Sequence, residues 1–270
     1  MAQSNNSIKK ILTVAFALCI VCSIIVSTAA VALRSKQQLN QELDRKTNIL
    51  NVADLYEPGD DVAEEFQKVT PKVVDLRSGE YTDEFDPEKF SGFEAARDPA
   101  QSRTLSGEKD IAGLSRQENY STVYLVGDPQ DPEQLILPIR GQGLWGLMRG
   151  YLSVEGDGNT IVGITYYSHS ETPGLGAKVD TPSWKAQWEG KQIYGESSDL
   201  QPEIGLVKGG ASEKTEVDAL SGATLTSNGV TNMLQFWLGP EGFGNYLAKF
   251  RSGTDQEAVK SASTDETEGA

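Results

Sequence analysis

An acid, a hydroxyl, a glycine and a threonine follow one another in Asp218-Ala219-Leu220-Ser221-Gly222-Ala223-Thr224, and an amphipathic segment begins directly after them. Val230, Met233, Leu234, Trp237 and Leu238 recur at i, i+3, i+4, i+7 and i+8, the spacing of one helix face. The first turn of such a helix has amide N–H groups without intrahelical acceptors, and the helix dipole makes that end positive. These groups form an anion site. Ser221 and Gly222 let the backbone approach a phosphate, and Thr224 offers a hydroxyl. A plain helix cap by Thr224, Thr226 or Ser227 would also explain the hydroxyls. Capping does not, however, require Asp218 six residues upstream, nor Gly-Ala-Thr at this point.

Two further segments have the residue types of a ligand pocket. Gly141-Gln142-Gly143-Leu144-Trp145-Gly146 brings two large apolar side chains into a glycine turn, and His169-Ser170-Glu171-Thr172-Pro173-Gly174-Leu175-Gly176 brings a carboxylate and a hydroxyl. Taken singly, the first reads as core packing at a strand-entry turn and the second as a Pro-Gly turn. His169 is the only histidine. With no cysteine near it, it makes no zinc site, and no G-x-S-x-G elbow is present for a hydrolase. The reading includes no catalytic residue and no metal.

Asp218 to Thr224 resembles the D-x-x-S/T-G-A-T flavinylation signature of the FMN-binding domain family. That resemblance implies that Thr224 carries FMN through a phosphoester, installed by a dedicated Mg-dependent flavin transferase with FAD as donor. Asp218, Ser221, Gly222 and Ala223 then belong to the recognition signature. The other two segments resemble motifs of the NqrC family, a subunit family of the sodium-translocating NADH:quinone oxidoreductase, and the resemblance extends over essentially the whole chain. It implies an electron-transfer subunit of an oxidoreductase and translocase, which relays electrons from NADH towards quinone without itself binding NADH or reducing quinone. The implied partners are the other subunits of a multi-subunit membrane redox complex, with the flavin transferase during maturation. Since an isoalloxazine has an apolar and a polar end, Leu144, Trp145 and Leu175 are expected to supply apolar walls. Glu171, Thr172 and backbone amides near Gly174 and Gly176 are expected at the polar edge, where such groups tune a flavin. Two alternatives are the equivalent flavin subunit of the related ferredoxin:NAD oxidoreductase and a non-redox exported binding module.

The elements that must position these residues are legible from pattern. Ser121–Val126, Gln134–Ile139, Leu147–Val154 and Thr160–Tyr167 are β-branched or aromatic runs. Gly127-Asp128-Pro129 and Gly156-Asp157-Gly158-Asn159 between them suit hairpins, so the pairing is expected to be antiparallel. Helices are expected over Ser183–Glu189, Ser227–Leu238 and Gly242–Arg251. The fold class is α+β, an antiparallel sheet with packed helices, preceded by one N-terminal transmembrane helix. The expected organisation is a short tail at 1–10, the transmembrane helix at 11–33, and a helical stalk and irregular lobe at 34–119. The FMN-binding domain occupies 120–251 and a disordered acidic tail 252–270. Within the lobe, Lys72–Leu76 reads as a possible strand.

Ile11 to Leu33 is an uncharged apolar run of roughly 23 residues, against about 20 needed to span a bilayer core. A cleavable signal is the competing reading, with Ala30-Val31-Ala32 as its cleavage pattern, but the run exceeds the usual apolar core of such signals. Both cysteines, Cys19 and Cys22, lie inside it as apolar membrane residues, so the rest of the chain has no thiol chemistry. Basic residues flank the run on both sides and leave its orientation open. The resemblance implies a single pass of a bacterial inner membrane with the soluble domain in the periplasm. A net charge of −15, with no basic patch, excludes nucleic acid as a partner.

Overall fold

A computed structural model describes residues 8–195 and 200–251; the acidic tail expected at 252–270 lies outside them. The chain divides between Lys46 and Thr47 into two units. The first belongs to helix α1 (Ile8–Val52), one continuous helix that contains the whole apolar run. Its most apolar window has a mean hydropathy of 2.6 and no buried residue. Leaving that many Leu, Ile and Val side chains in water would forgo about 1.5–3 kcal/mol apiece, so the helix fits a single-pass membrane anchor. Cys19 and Cys22 are free thiols on it.

The second unit begins with the last turns of α1 and continues through α2 (Val62–Glu65), β1 (Val69–Asp75), β2 (Tyr81–Thr82), α3 (Gly92–Ala95) and the small ladder of β3 (Ser102–Thr104) with β4 (Arg116–Glu118). β5 (Tyr120–Asp128), β6 (Asp131–Gln142), β7 (Leu147–Glu155) and β8 (Ile161–Ser168) follow as successive hairpins. After them come α4 (Pro182–Lys185), β9 (Gly205–Val207), β10 (Glu216–Asp218), α5 (Thr224–Leu238) and a helix over 244–251. Six strands form one antiparallel sheet in the order β2-β1-β5-β6-β7-β8. The four strands expected from the β-branched runs are β5 to β8, and the two expected turns join β5 to β6 and β7 to β8. In the second turn, the Asp157 carboxylate accepts the N–H groups of Asn159 and Thr160, each at 2.8 Å.

Three features refine or depart from the sequence reading. The possible strand at Lys72–Leu76 is β1, which starts earlier, at Val69, lies inside the main sheet and pairs with β5 along its full length. On the β2 side Pro71 interrupts no ladder, because β2 pairs only with Val73 and Val74. The helix expected over Ser183–Glu189 is a single turn. Beyond it the amides of Gln187 and Trp188 bond carbonyls three residues back, which tightens the chain towards Gly190. Finally, β9 and β10 pair in parallel, outside the antiparallel sheet.

Both faces of the sheet are covered. Val123, Leu125, Leu135, Leu137, Ile139, Leu152 and Val154 face the core under α5, where Val230, Met233, Leu234 and Trp237 are fully buried. Tyr124, Val126, Ile136 and Tyr151 point the other way and pack on Ile49, Leu50, Val52 and Ala53 from the end of α1. This double coverage explains why β5 reads as a continuous apolar run and not as an alternating one.

Candidate functional site

The signature segment leaves the C-terminal end of β10 and turns into α5. Gly222 makes that turn with φ +79, a left-handed conformation that side chains resist, and a Cβ there would press on the Leu175 side chain. The N-cap of α5 is Ala223, which has no side chain able to cap, and Thr224 is the first helical residue. The plain cap expected from Thr224, Thr226 or Ser227 is therefore not formed. Ser227, buried, turns its hydroxyl back, accepting the Leu220 N–H and donating to the Ala223 carbonyl, each at 3.0 Å. Thr226, also buried, donates to Glu171 Oε2. Of these three α5 residues only Thr224 is exposed, beside first-turn amides without intrahelical acceptors.

Thr224 lines a cleft of about 400 Å³ together with Val207 to Gly210 and Asp218 to Gly222. Asp218 does not turn its carboxylate into this cleft as a free group: Oδ1 accepts the Ala211 N–H at 2.6 Å. Its backbone is held as well, the carbonyl by Trp184 Nε1 at 3.1 Å and the N–H by Gln187 Oε1 at 3.2 Å. Sequence reasoning missed the 207–211 loop and Gln187. The loop's one signal is a Gly-Gly pair after a short apolar run.

Glu171 joins the three segments that sequence reading kept apart. Its carboxylate is buried, with Oε1 accepting the N–H groups of Leu144 (2.9 Å) and Trp145 (3.1 Å) and Oε2 accepting from Thr226. Gly143 and Gly176 sit so close that a Cβ on either would collide with the carboxylate oxygens. The buried Glu171 carboxylate thus accepts three protein donors, from two turns and α5. His169 supports it: Nδ1 accepts the Glu171 N–H at 3.1 Å and Nε2 meets Asp180 Oδ2 at 2.7 Å. An accepting Nδ1 fixes the neutral tautomer with its proton on Nε2, so both ring nitrogens are occupied.

What remains on the outside is apolar. Trp145 (65 % exposed), Leu225 (62 %), Leu175 (44 %) and Leu144 (42 %) stand on the segments that Glu171 ties together. The Trp145 indole is oriented by its Nε1 donating to Thr172 Oγ1 at 3.0 Å, while Gly174 lies at the exposed tip of the same turn, with φ +77. Exposed large side chains in such a group mark a surface that something covers. These residues fit FMN. The apolar group suits a flat aromatic ring, and the outward hydroxyl with bare amides suits its phosphate.

Gly141 to Gly146 also spells G-x-G-x-x-G, the letters of a dinucleotide-binding turn. Here they sit in a hairpin between antiparallel β6 and β7, with no helix after them, and the Gly143 N–H closes the turn onto the Gly146 carbonyl at 2.8 Å. The strand-to-helix context that the fingerprint requires is missing, so the letters do not make an NADH site.

Comparison with known proteins identifies the family. The FMN-binding domain family matches residues 143–239, which include the 144–145 turn, the 169–176 loop and the signature. The C subunit of the Na(+)-translocating NADH-quinone reductase of Vibrio alginolyticus is 49 % identical over 256 residues, covering 94 % of this chain and 99 % of that one. The corresponding Yersinia pestis protein is 45 % identical over 258 residues, covering 93 % and 96 %. Among solved structures, Shewanella oneidensis NqrC superimposes with a TM-score of 0.71 at 34 % identity, covering 79 % of this chain and 99 % of that one. The chain belongs to the NqrC family, the C subunits of the Na(+)-translocating NADH-quinone reductase.

Proposed function

We propose that this chain carries FMN on the Thr224 hydroxyl and, as one subunit of a sodium-pumping NADH-quinone reductase, passes electrons between partner subunits. The observation that carries the reading is the isolation of Thr224. Of the three hydroxyls at the start of α5, two are buried and committed to protein partners, and the third faces the cleft. Attachment is a phosphoryl-type transfer. Thr224 Oγ bonds to the FMN phosphorus of FAD, the pyrophosphate bond breaks, AMP leaves and the hydroxyl proton is released. A flavin transferase is the catalyst in this reading. When bound, the isoalloxazine ring supplies the electron-carrying chemistry.

The chain's own residues bind and orient. First-turn amides of α5 receive the phosphate charge, Ser221 and Gly222 allow close approach, and Ala223 keeps the cap position free of a competing side chain. Leu144, Trp145, Leu175 and Thr172 would hold the ring. Glu171 and His169 position these residues from beneath. Leaving one side of the ring open suits a carrier that must meet two partners in turn.

The soluble unit is read as periplasmic, anchored by α1. A covalent link is of most use there, because free flavin is dilute and a dissociated cofactor would be lost. Protease added outside spheroplasts is expected to digest the domain; full protection would reverse the orientation. The attachment itself is tested on a denaturing gel of protein co-expressed with the transferase and viewed under ultraviolet light. A fluorescent band that disappears in Thr224→Ala supports the reading, and a dark wild-type band refutes it.

A further inference from the structure

We propose that Lys208, on a loop that belongs to no recognised motif, pairs with the phosphate that links the flavin to Thr224; the proposal rests on the Thr224 reading above. Val207 and Asp218 are register partners at the ends of β9 and β10, so both strands release their chains on the same side. Ligands collect at the carboxyl ends of parallel strands because the outgoing loops diverge there and leave a crevice. Here one outgoing loop is the signature and the other is Lys208-Gly209-Gly210, and both line the cleft that contains Thr224.

Both ends of the second loop are pinned to the signature. The Ala219 N–H donates to the Val207 carbonyl at 2.9 Å, and the Ala211 N–H donates to Asp218 Oδ1 at 2.6 Å. Between the pins, Gly209 and Gly210 have φ of +97 and +102, and a Cβ on either would meet nothing within 4 Å. Two glycines are therefore needed for conformation, and they leave the space in front of them open. The signature aspartate acts as a positioning residue: it holds the loop that carries the lysine.

Lys208 itself is exposed and makes no ion pair among the described residues. That is notable in a chain with 39 acidic residues against 24 basic ones. A phosphodiester keeps one negative charge at every physiological pH, and a lysine ammonium serves it as a mobile point charge. Lys208 thereby stabilises the finished link and draws the FAD pyrophosphate towards Thr224.

The test uses the full-length protein made without transferase, then incubated with purified transferase, FAD and Mg²⁺. Lys208→Gln is expected to slow the appearance of covalent flavin by about threefold to tenfold at low salt. Lys208→Arg keeps the rate, and the difference narrows at high salt as an exposed charge is screened. In the finished adducts, the phosphorus-31 resonance of the phosphodiester moves in Lys208→Gln relative to wild type. An unmoved resonance overturns the proposal whatever the rate, because Lys208 would then serve the transferase and not the phosphate. A wild-type chain that takes up no covalent phosphorus overturns the Thr224 reading itself, and this proposal with it.

Discussion

Replacing Glu171 should loosen the flavin-facing surface while leaving the sheet intact. In Glu171→Ala the Thr226 hydroxyl, fully buried, loses its acceptor, a loss of about 1–3 kcal/mol for an unsatisfied buried group. The Leu144 and Trp145 amides lose theirs too, but both residues are exposed and water replaces part of what is lost, leaving about 0.5–1.5 kcal/mol each. The total is about 2–6 kcal/mol. If the loss is felt globally, Tm falls by about 5–20 °C for a domain of this size. If it is felt locally, amide exchange at Leu144 and Trp145 accelerates by at least about 30-fold, since about 1.4 kcal/mol corresponds to a factor of ten. Glu171→Gln retains the volume and one acceptor, and should lie between alanine and wild type. Thermal denaturation and hydrogen exchange on the same samples distinguish these cases. Unchanged Tm together with unchanged exchange at 144 and 145 in Glu171→Ala would refute the assignment of Glu171 as the hub.

Three other perturbations follow from the same contacts. Ser227→Ala removes the hydroxyl that bridges the Leu220 N–H and Ala223 carbonyl, and should cost about 1–3 kcal/mol, measured as a fall in Tm, while slowing flavin attachment because the signature turn is no longer fixed. Arg140→Met strands the buried Glu118 carboxylate, its bidentate partner, and should cost about 3–5 kcal/mol, whereas the Arg140→Met/Glu118→Leu double variant, read by the same denaturation curves, should lose far less. Glu216 is held below its ordinary value of 4.5 by accepting the Ser212 and then the Glu213 N–H. A lowered folded value means that its contribution is complete above 4.5 and is lost as pH falls through the lower value. The protection of the Ser212 and Glu213 amides, relative to their intrinsic exchange at each pH, should therefore fall on acidification in that window, and Glu216→Gln should abolish this change in protection.

The long elements are legible because their chemistry is repetitive. β5 to β8 show as β-branched runs, and α5 shows as a face of Val230, Met233, Leu234 and Trp237. β1 is legible only from Lys72 onward, because Pro71 interrupts its pattern. β9 and β10 span three residues each, too few to reveal a period, so the parallel pair that frames the cleft has no signal in the sequence. In the site, the signature points to Thr224 directly, since its order of residues is local. Glu171 reads from sequence as a contact to the cofactor, and the protein bonds it also accepts escape notice because its three donors lie 26, 27 and 55 residues away in sequence. The partner of Asp218 is invisible for a related reason: Ala211 donates through its backbone, and a backbone amide has no side-chain signature.

The central claim is that one hydroxyl of several at the start of α5 carries the flavin. Trypsin should release a peptide from Thr215 to Lys249, since no lysine or arginine lies between them, and it contains Ser221, Thr224, Thr226 and Ser227 together. Fragment-ion mass spectrometry of that peptide, from protein co-expressed with the transferase, tests the claim residue by residue. The account predicts a mass gain of one FMN less one water, localised to Thr224, with Ser221, Thr226 and Ser227 unmodified. An unmodified peptide, or a flavin on any of the other three hydroxyls, would contradict it.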